Sequence, residues 1–509
     1  MDSSSVIYQT IDHLRDTEYL VTENYSAVFL IGGAVVPGKY LGARIGSLAE
    51  ITRIIEADRR LQFFIGGHIS SMVPASENVL PVTGDIERAA FGFARGMDLS
   101  SETRSTAEIG VWAPAGADIV KEHPRHPMLI AEIETFRGCP REAHCSFCTE
   151  GFHEQIEYRP VADIIHEMEA LSFHGIKRFR LGRQTDILQY GSRLDNFRGG
   201  FPRPSVEAVR ELFEAVTSLV QRDDIELINI DNGNPGSIAN FPDECSEILD
   251  IITGTVTPGD TLPFGVESFD PRVVSLNCLK VSPDEARLAV NIVNSRGGGR
   301  VDGIPRLLPG INLLHGLAGE TADTFKMNHE ALCRIADSGD LLKRINIRRV
   351  QPFPGTLLYR DIPKISRAVE NRFLYYRDRI RDEIDLPMLK KIYPPGTILR
   401  GCQVLDRRGG RSYAKQIASY SITVVFAEDF EIYDMVDTVI AGYRERSLIA
   451  VPLGLDINSL SLKSLEAIPG IGARGAGDIV AERPVLSRER AAALLSRVDP
   501  ALRIHLAGF

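Results

Sequence analysis

Three thiols within ten residues are the chemical centre of this sequence. In the stretch Thr135-Phe-Arg-Gly-Cys-Pro-Arg-Glu-Ala-His-Cys-Ser-Phe-Cys148, residues Cys139, Cys145 and Cys148 are spaced C-x5-C-x2-C. Soft thiolates packed this closely suit a metal. Structural zinc takes four ligands, and only three are clustered, so a zinc site here needs a fourth ligand such as His144 or His153. A [4Fe–4S] cluster held by three cysteines differs: one iron keeps no protein ligand and stays open to a small molecule. Phe147, just before the last cysteine, is placed to shield such a cluster from water. Buried structural cysteines are the third reading.

The 509 residues suffice for two to four domains with a large core. Apolar content of 44% and charged content of 25% are those of a soluble globular protein. No run of 18 apolar residues occurs, so no membrane span is expected. The N-terminus carries no basic region followed by an apolar run, so no secretory signal is read there. Seven cysteines, three of them clustered, fit a reducing cytoplasm. Cys245, Cys278, Cys333 and Cys402 stand singly and read mostly as small packing residues. A net charge of −10 excludes a protein that coats nucleic acid non-specifically. From Lys390 to Phe509, however, 16 Lys/Arg face 13 Asp/Glu, so a polyanion site belongs at the C-terminal end.

The pattern of elements predicts an α/β protein in four domains, 1–125, 126–385, 386–455 and 456–509. In the first, Ser26–Ile31 and Leu61–Ile65 read as buried strands running into Gly-Gly turns. A helix starts at Ser47, where Ser47 and Glu50 form a capping box, and another covers Ile86–Arg95. The unit reads as short at its start, as though a first strand were absent. Pro124–Pro127 reads as a connector. Strands at Met128–Thr135, Ile176–Leu181, Ile225–Ile230, Leu262–Glu267, Ile311–Leu314 and Ile345–Val350 then alternate with helical stretches. That alternation implies a parallel sheet closed or partly closed into a barrel, with its chemistry at the C-terminal ends of the strands. The helix Ser366–Asp382 is basic and aromatic. It reads as a solvated face over Phe373, Leu374 and Ile380. Short alternating strands from Pro395 to Pro452 suit a small β-barrel, with Arg407–Arg411 as a phosphate-facing loop or an ordinary turn. Last, Leu462–Ile479 reads as helix, tight Gly470-Ile471-Gly472 hairpin and helix, followed by a second helical pair from Ser487 and Pro500.

From the cysteines onward the sequence resembles the radical S-adenosylmethionine (SAM) superfamily, whose common spacing is C-x3-C-x2-C. The strand ends carry the resemblance over about residues 128–385. Phe264-Gly-Val-Glu267-Ser268 is similar to the family's Gly-hydrophobic-Glu-Ser. Gly316-Leu-Ala-Gly319-Glu320-Thr321 is similar to its Gly-x-Pro-Gly-Glu-Thr turn, and Val350-Gln-Pro-Phe-Pro-Gly-Thr356 to its Pro-x-Pro-Gly-Thr strand. Leu181-Gly-Arg-Gln184-Thr-Asp186 stands where the family often has Gly-Gly-Glu. The resemblance implies that Cys139, Cys145 and Cys148 hold a [4Fe–4S] cluster. It makes Gln184, Asp186, Glu267, Ser268, Gly316, Gly319 and Glu320 the candidates for binding SAM. One electron, from a donor such as flavodoxin or ferredoxin, then cleaves SAM to methionine and a 5′-deoxyadenosyl radical that abstracts hydrogen from substrate.

The first domain is similar to the cobalamin-type Rossmann domain of many such enzymes. The Asp-x-His-x-x-Gly motif that ligates cobalt is missing, His68 sitting in Gly-Gly-His-Ile-Ser-Ser, so cobalamin is not expected. No cysteine precedes Cys139, so the second cluster of radical SAM methylthiotransferases has no counterpart here. The small barrel resembles the TRAM-like or OB-like barrels of tRNA-modifying members, and the C-terminus a helix-hairpin-helix. Taken whole, the chain is similar to an archaeal-type group of radical SAM enzymes with that C-terminal module. In the hairpin motif, backbone N–H groups at the start of the second helix receive a phosphate oxygen, which makes Gly470, Ile471, Gly472 and Arg474 nucleic-acid candidates. The reading that follows is an enzyme acting on a nucleic-acid base, first of all in tRNA. Its rivals are a radical SAM enzyme for a protein or small metabolite, with a cobalamin-dependent methylase as a variant, a DNA-repair enzyme, and a non-catalytic zinc-bearing nucleic-acid-binding protein.

Overall fold

The computed structural model describes residues 6–20, 25–33, 44–153 and 155–507. The chain forms two compact units, Met1–Leu129 with Ala162–Ile176, and Ile130–Val161 with Lys177–Phe509.

The first unit holds a parallel sheet in the order β1 (Ala27–Ile31), β2 (Gln62–Gly66), β3 (Val79–Pro81). Helix α1 (Leu48–Ala57) begins at the capping box: Ser47 accepts from the Glu50 N–H, and the Glu50 carboxylate accepts from the Ser47 N–H. Helix α2 (Ile86–Arg95) lies where its spacing placed it. Strand β2 stops at glycines for a steric reason. A Cβ on Gly66 would meet Ile86, and Gly67 has φ +78°, a region where side chains are strained. Strand β3 and helix α3 (Thr106–Ala115) are further elements. Helix α4 (Val161–Phe173) follows, with Ile164 and Met168 buried.

The second unit contains six parallel strands, β4 (Ala131–Glu134), β5 (Arg178–Gly182), β6 (Leu227–Ile230), β7 (Asp260–Glu267), β8 (Leu307–His315) and β9 (Arg344–Arg349). They pair as β6-β5-β4 and β7-β8-β9, and a parallel bridge from Gly233 to Phe264 joins the two sets. The strands therefore stand in sequence order around one arc. Helices α5 (Val206–Asp223), α6 (Pro242–Thr255), α7 (Pro283–Gly297) and α8 (Ala322–Asp337) return the chain between them and bury one face each. Parallel strands need such crossovers, and the result is a partial (β/α) barrel. Helix α9 (Arg367–Ile380) buries Phe373, Tyr376 and Ile380 and passes through a π-helical turn, Arg381–Asp385, into α10 (Leu386–Ile392).

A closed five-stranded barrel follows: β10 (Ile398–Arg408), β11 (Arg411–Gln416), β12 (Thr423–Phe426), β13 (Met435–Arg444) and β14 (Ser447–Pro452), in the order β10-β11-β12-β14-β13. The β10–β11 connection is an ordinary hairpin with Gly409 and Gly410 both at positive φ. The Arg407 guanidinium there is paired with Asp429 and Glu431.

This small barrel closes the N-terminal mouth of the six-stranded arc. Its Ser419 N–H donates to the buried Asn229 Oδ1 at 2.7 Å. Tyr420 enters between the strands, where its hydroxyl donates to Asp231 at 2.9 Å and its ring lies under the Arg180 and Arg344 guanidiniums at 5.3 and 5.0 Å. A cavity of about 350 Å³ remains at this seam, lined by Arg178, Asn229, Lys343, Arg400 and Gln416 among others.

Helices α11 (Leu462–Ala467), α12 (Gly472–Glu482), α13 (Arg488–Leu494) and α14 (Pro500–Leu506) end the chain. Ile468, Ala476, Ile479, Leu495 and Leu502 join Val439, Ala441 and Val451 of the small barrel in one buried core. No helix among the described residues is long and apolar enough to cross a membrane.

Candidate metal centre

The three cysteines lie beyond the C-terminal end of β4. Phe136 and Arg137 pair antiparallel with Tyr158 and Glu157, which pins the two ends of the loop together. The loop departs at Gly138, at φ +87°. Cys145 is buried, and Cys139 and Cys148 are half-buried. Burial pushes the Cys148 thiol up to about 11 and raises Cys139 as well. The Cys139 and Cys148 thiols keep their protons at neutral pH, so a metal must displace them on binding.

Asn277 ties this loop to the rest of the arc. Its Oδ1 accepts from the Ser146 hydroxyl at 2.8 Å and from the Ala318 N–H at 3.2 Å. Its amide donates to the Val273 and Ala318 carbonyls, and its own carbonyl accepts from the Ser146 N–H at 3.0 Å. The Ser146 carbonyl in turn accepts from the Leu358 N–H, just past Pro354-Gly-Thr356. Cys145, Val273, Leu279, Leu317 and Leu358 form one apolar cluster with Phe147 and Cys148 packed against it. Three separate strand ends thus converge on the thiols.

Three soft thiol donors on one loop match the three protein ligands of a [4Fe–4S] cluster, whereas a structural zinc needs a fourth. Four ligands at a Zn–S distance of about 2.3 Å place sulfurs only about 3.8 Å apart. Among the described residues only His329, Cys333 and Glu383 bring three ligand atoms within 4.8 Å of one another. In a [4Fe–4S] cube each cysteine meets its own iron. In the His329 group, both Glu383 oxygens are held by Arg379.

The remaining candidates fall at neighbouring strand ends. Glu267 ends β7 with φ +66° and stands 3.8 Å from the Lys280 ammonium; burial pushes its carboxyl up to about 7. Ser268 is buried beside Asn328. Glu320 clamps the turn after β8, accepting from the Gly316 N–H and sitting 2.8 Å from His315 Nδ1. Gly316 and Gly319 have φ +103° and +85°, and a Cβ on Gly319 would meet Leu276. Gln184 and Asp186 are almost wholly buried and engaged within the protein. Gln184 donates to the Leu181 and Asp231 carbonyls. Asp186 accepts from the N–H groups of Leu188 and Asn234 and from the Ser237 hydroxyl. Burial holds the Asp186 carboxyl up at about 7.

At the other end of the unit, Gly470, Gly472 and Arg474 are exposed and Ile471 is half-buried, at the turn into α12. Gly470 and Gly472 take φ +96° and +65°, and a Cβ on Gly470 would meet the Arg497 carbonyl. Buried Ala476 lets α11 and α12 approach.

Two proteins resemble this chain over nearly its whole length. An uncharacterized protein of Archaeoglobus fulgidus is 36% identical over 483 residues, 94% of this chain and 88% of that protein. An uncharacterized protein of Methanocaldococcus jannaschii is 38% identical over 469 residues, 87% and 85% of the two chains. The chain belongs to their family. A tRNA-2-methylthio-N(6)-dimethylallyladenosine synthase of Buchnera aphidicola subsp. Baizongia pistaciae is 26% identical over 242 residues, 46% of each chain. The radical SAM methyltransferase TsrM of Kitasatospora setae, solved with cobalamin and a [4Fe-4S] cluster bound, is 16% identical, with 67% of this chain and 65% of that chain covered at a TM-score of 0.44. No family model matches.

Three residues of this family member at the site escape motif reading. Arg141 donates to Cys145 Sγ at 3.3 Å and to the Cys278 and Leu279 carbonyls. Lys280, with only 18% of its side chain exposed, donates to the Gly265 carbonyl at 3.0 Å. Asn277 is fully buried. All three belong to irregular segments, where no periodicity marks a residue as inward-facing. Of the single cysteines, Cys245 and Cys402 are buried, Cys333 is half-buried and Cys278 is exposed.

Proposed function

We propose that this chain is a radical SAM enzyme that modifies a base in tRNA. The observation that carries the reading is the placement of three thiols on one loop at the C-terminal end of the first strand of a parallel partial barrel, where the segments after β7, β8 and β9 close on them. Barrels of this kind carry their chemistry at that end. Cys139, Cys145 and Cys148 would hold a [4Fe–4S] cluster. When bound, such a cluster supplies one electron that cleaves SAM to methionine and a hydrogen-abstracting deoxyadenosyl radical.

The chain's own residues prepare the site. Phe147, Leu279 and Leu317 keep water from the thiols. Glu267 and the turn Gly316–Glu320 clamped by Glu320 stand at two adjacent strand ends and are the groups this reading assigns to an amino acid and a ribose, with Ser268 bonded to Asn328 and Asp270 beside Glu267. Gln184 and Asp186 fix the loop after β5.

The tRNA part of the reading draws on the half-length similarity to a tRNA-modifying synthase and on the C-terminal hairpin, whose exposed Gly470, Gly472 and Arg474 suit a phosphate. Small five-stranded barrels of the OB type bind oligonucleotides through a strand face and loops. The small barrel sits at the N-terminal mouth and the thiols at the other. A substrate touching both spans at least the eight residues of β7, about 25 Å, which suits a macromolecule.

The test compares tRNA nucleosides by mass spectrometry from cells lacking this gene and from cells carrying it intact or as Cys148→Ala. A nucleoside present only with the intact gene supports the reading. Identical profiles in all three overturn the tRNA assignment.

A further inference from the structure

The loop between the first two cysteines places a guanidinium on a thiol. Arg141 donates through Nη1 to Cys145 Sγ at 3.3 Å, and through Nη2 to the Cys278 and Leu279 carbonyls at 3.2 and 3.3 Å. Its planar group also lies over the Phe201 ring at 5.1 Å. The fork is therefore held on both faces of the contact, and its Nε is buried without a protein partner. A flexible surface arginine has none of these constraints. The five-residue gap makes the arrangement possible. The Glu142 N–H anchors the loop to the Gly200 carbonyl, next to Arg141 and three residues before Cys145.

The hydrogen bonds of Arg141 go to a thiol and two carbonyls and to no carboxylate, so Cys145 is the one of these partners that can carry a negative charge. A thiolate supplies that charge once a metal has displaced the proton. Hydrogen bonds and positive charge at the ligating sulfurs of an iron–sulfur cluster stabilise its more negative, reduced form and so raise its reduction potential.

We propose that Arg141 is a potential-setting residue: its guanidinium, hydrogen-bonded to Cys145, makes the one-electron reduction of the cluster easier. This rests on the [4Fe–4S] reading above. The electron comes from a one-electron donor of the flavodoxin or ferredoxin class and reduces the cluster by one unit, with no bond made or broken at Arg141.

The test is an electron-paramagnetic-resonance redox titration of the full-length protein, reconstituted anaerobically with iron and sulfide, without SAM. Wild type is compared with Arg141→Gln and Arg141→Lys. The glutamine variant should be harder to reduce by about tenfold in the reduction equilibrium, a midpoint lower by about 59 mV for one electron. The lysine variant, which keeps the charge and loses the planar fork, should fall between. Iron content and absorbance, read first, separate the two claims. A wild type that assembles no cluster ends the cluster reading itself. Clusters of equal midpoint in all three proteins overturn the role of Arg141 and leave that reading standing. If neither variant loads iron while wild type does, Arg141 is a structural element of the loop and the proposal also fails.

Discussion

Ser146 and Asn277 are joined twice, hydroxyl to side-chain oxygen at 2.8 Å and backbone N–H to carbonyl at 3.0 Å, across 131 positions of sequence. Ser146 lies between two of the cysteines. Asn277 also holds the turn at Ala318, so a single buried amide sets the distance between the cysteine loop and the strand end beside it.

Replacing Asn277 with Ala leaves several buried partners unmet, each at about 1–3 kcal/mol. We expect Asn277→Ala to lose about 3 kcal/mol in urea unfolding. It should also bind less than half the iron of wild type after reconstitution. Wild-type iron content would show that the loop keeps its shape without this tie.

Asp186 sets a pH dependence. Burial holds its carboxyl up at about 7 in the fold, against about 3.9 in an unfolded chain. Below about pH 4 both states are protonated and the contribution is complete. As pH rises toward 7 the unfolded chain releases its proton first, so this contribution is lost between about pH 4 and 7. Asn in its place keeps an oxygen for the Leu188 and Asn234 N–H groups, both of which bond to Oδ1. Asp186→Asn should therefore flatten the fall in melting temperature between pH 5 and 8. At pH 8 it should be more stable than wild type by about 1 kcal/mol or more. Parallel pH curves for the two proteins would contradict this.

Tyr420 plugs the mouth of the arc, and its ring and hydroxyl are both engaged. Tyr420→Ala should cost about 3–5 kcal/mol. Tyr420→Phe, which loses the hydroxyl's bond to Asp231 and the one it accepts from Arg180 Nη2, should cost about 1–2 kcal/mol. Limited proteolysis should then cut the small barrel free of the core in the alanine variant and not in the phenylalanine one.

Much of this was legible before any coordinates. The order of strands, the capping box at Ser47 and Glu50, and the Gly470–Gly472 turn follow from periodicity and from backbone conformations that only certain residues tolerate. Strand β3, three residues long, was too short to show a period, and α3 contains Gly110 and Pro114, which blur a helical pattern. The engagement of Gln184 and Asp186 was hidden because burial is a property of the neighbours, here Asp231, Asn234 and Ser237. Arg141 and Asn277 carry no motif. Their importance arises from contacts between segments that are distant in sequence, which spacing alone cannot report. The docking of the small barrel through Ser419 and Tyr420 was illegible for the same reason.

Arg474 is exposed at the start of α12, so Arg474→Glu should fold as wild type. If the hairpin receives a phosphate, this charge reversal weakens binding of unmodified tRNA about tenfold at low salt and lowers the slope of log affinity against log salt by about one to two. Filter binding across a salt series reads both. Unchanged affinity and slope would place nucleic acid elsewhere or nowhere on this chain.

The central claim is that Cys139, Cys145 and Cys148 hold a cluster that cleaves SAM. The most direct measurement reconstitutes the full-length protein anaerobically with iron and sulfide, adds SAM, dithionite and total tRNA, and quantifies 5′-deoxyadenosine against Cys148→Ala. The account predicts about four irons and four sulfides per chain, and deoxyadenosine that appears with wild type and is absent with the variant. A wild-type protein that binds zinc, builds no iron–sulfur chromophore and yields no deoxyadenosine would contradict it.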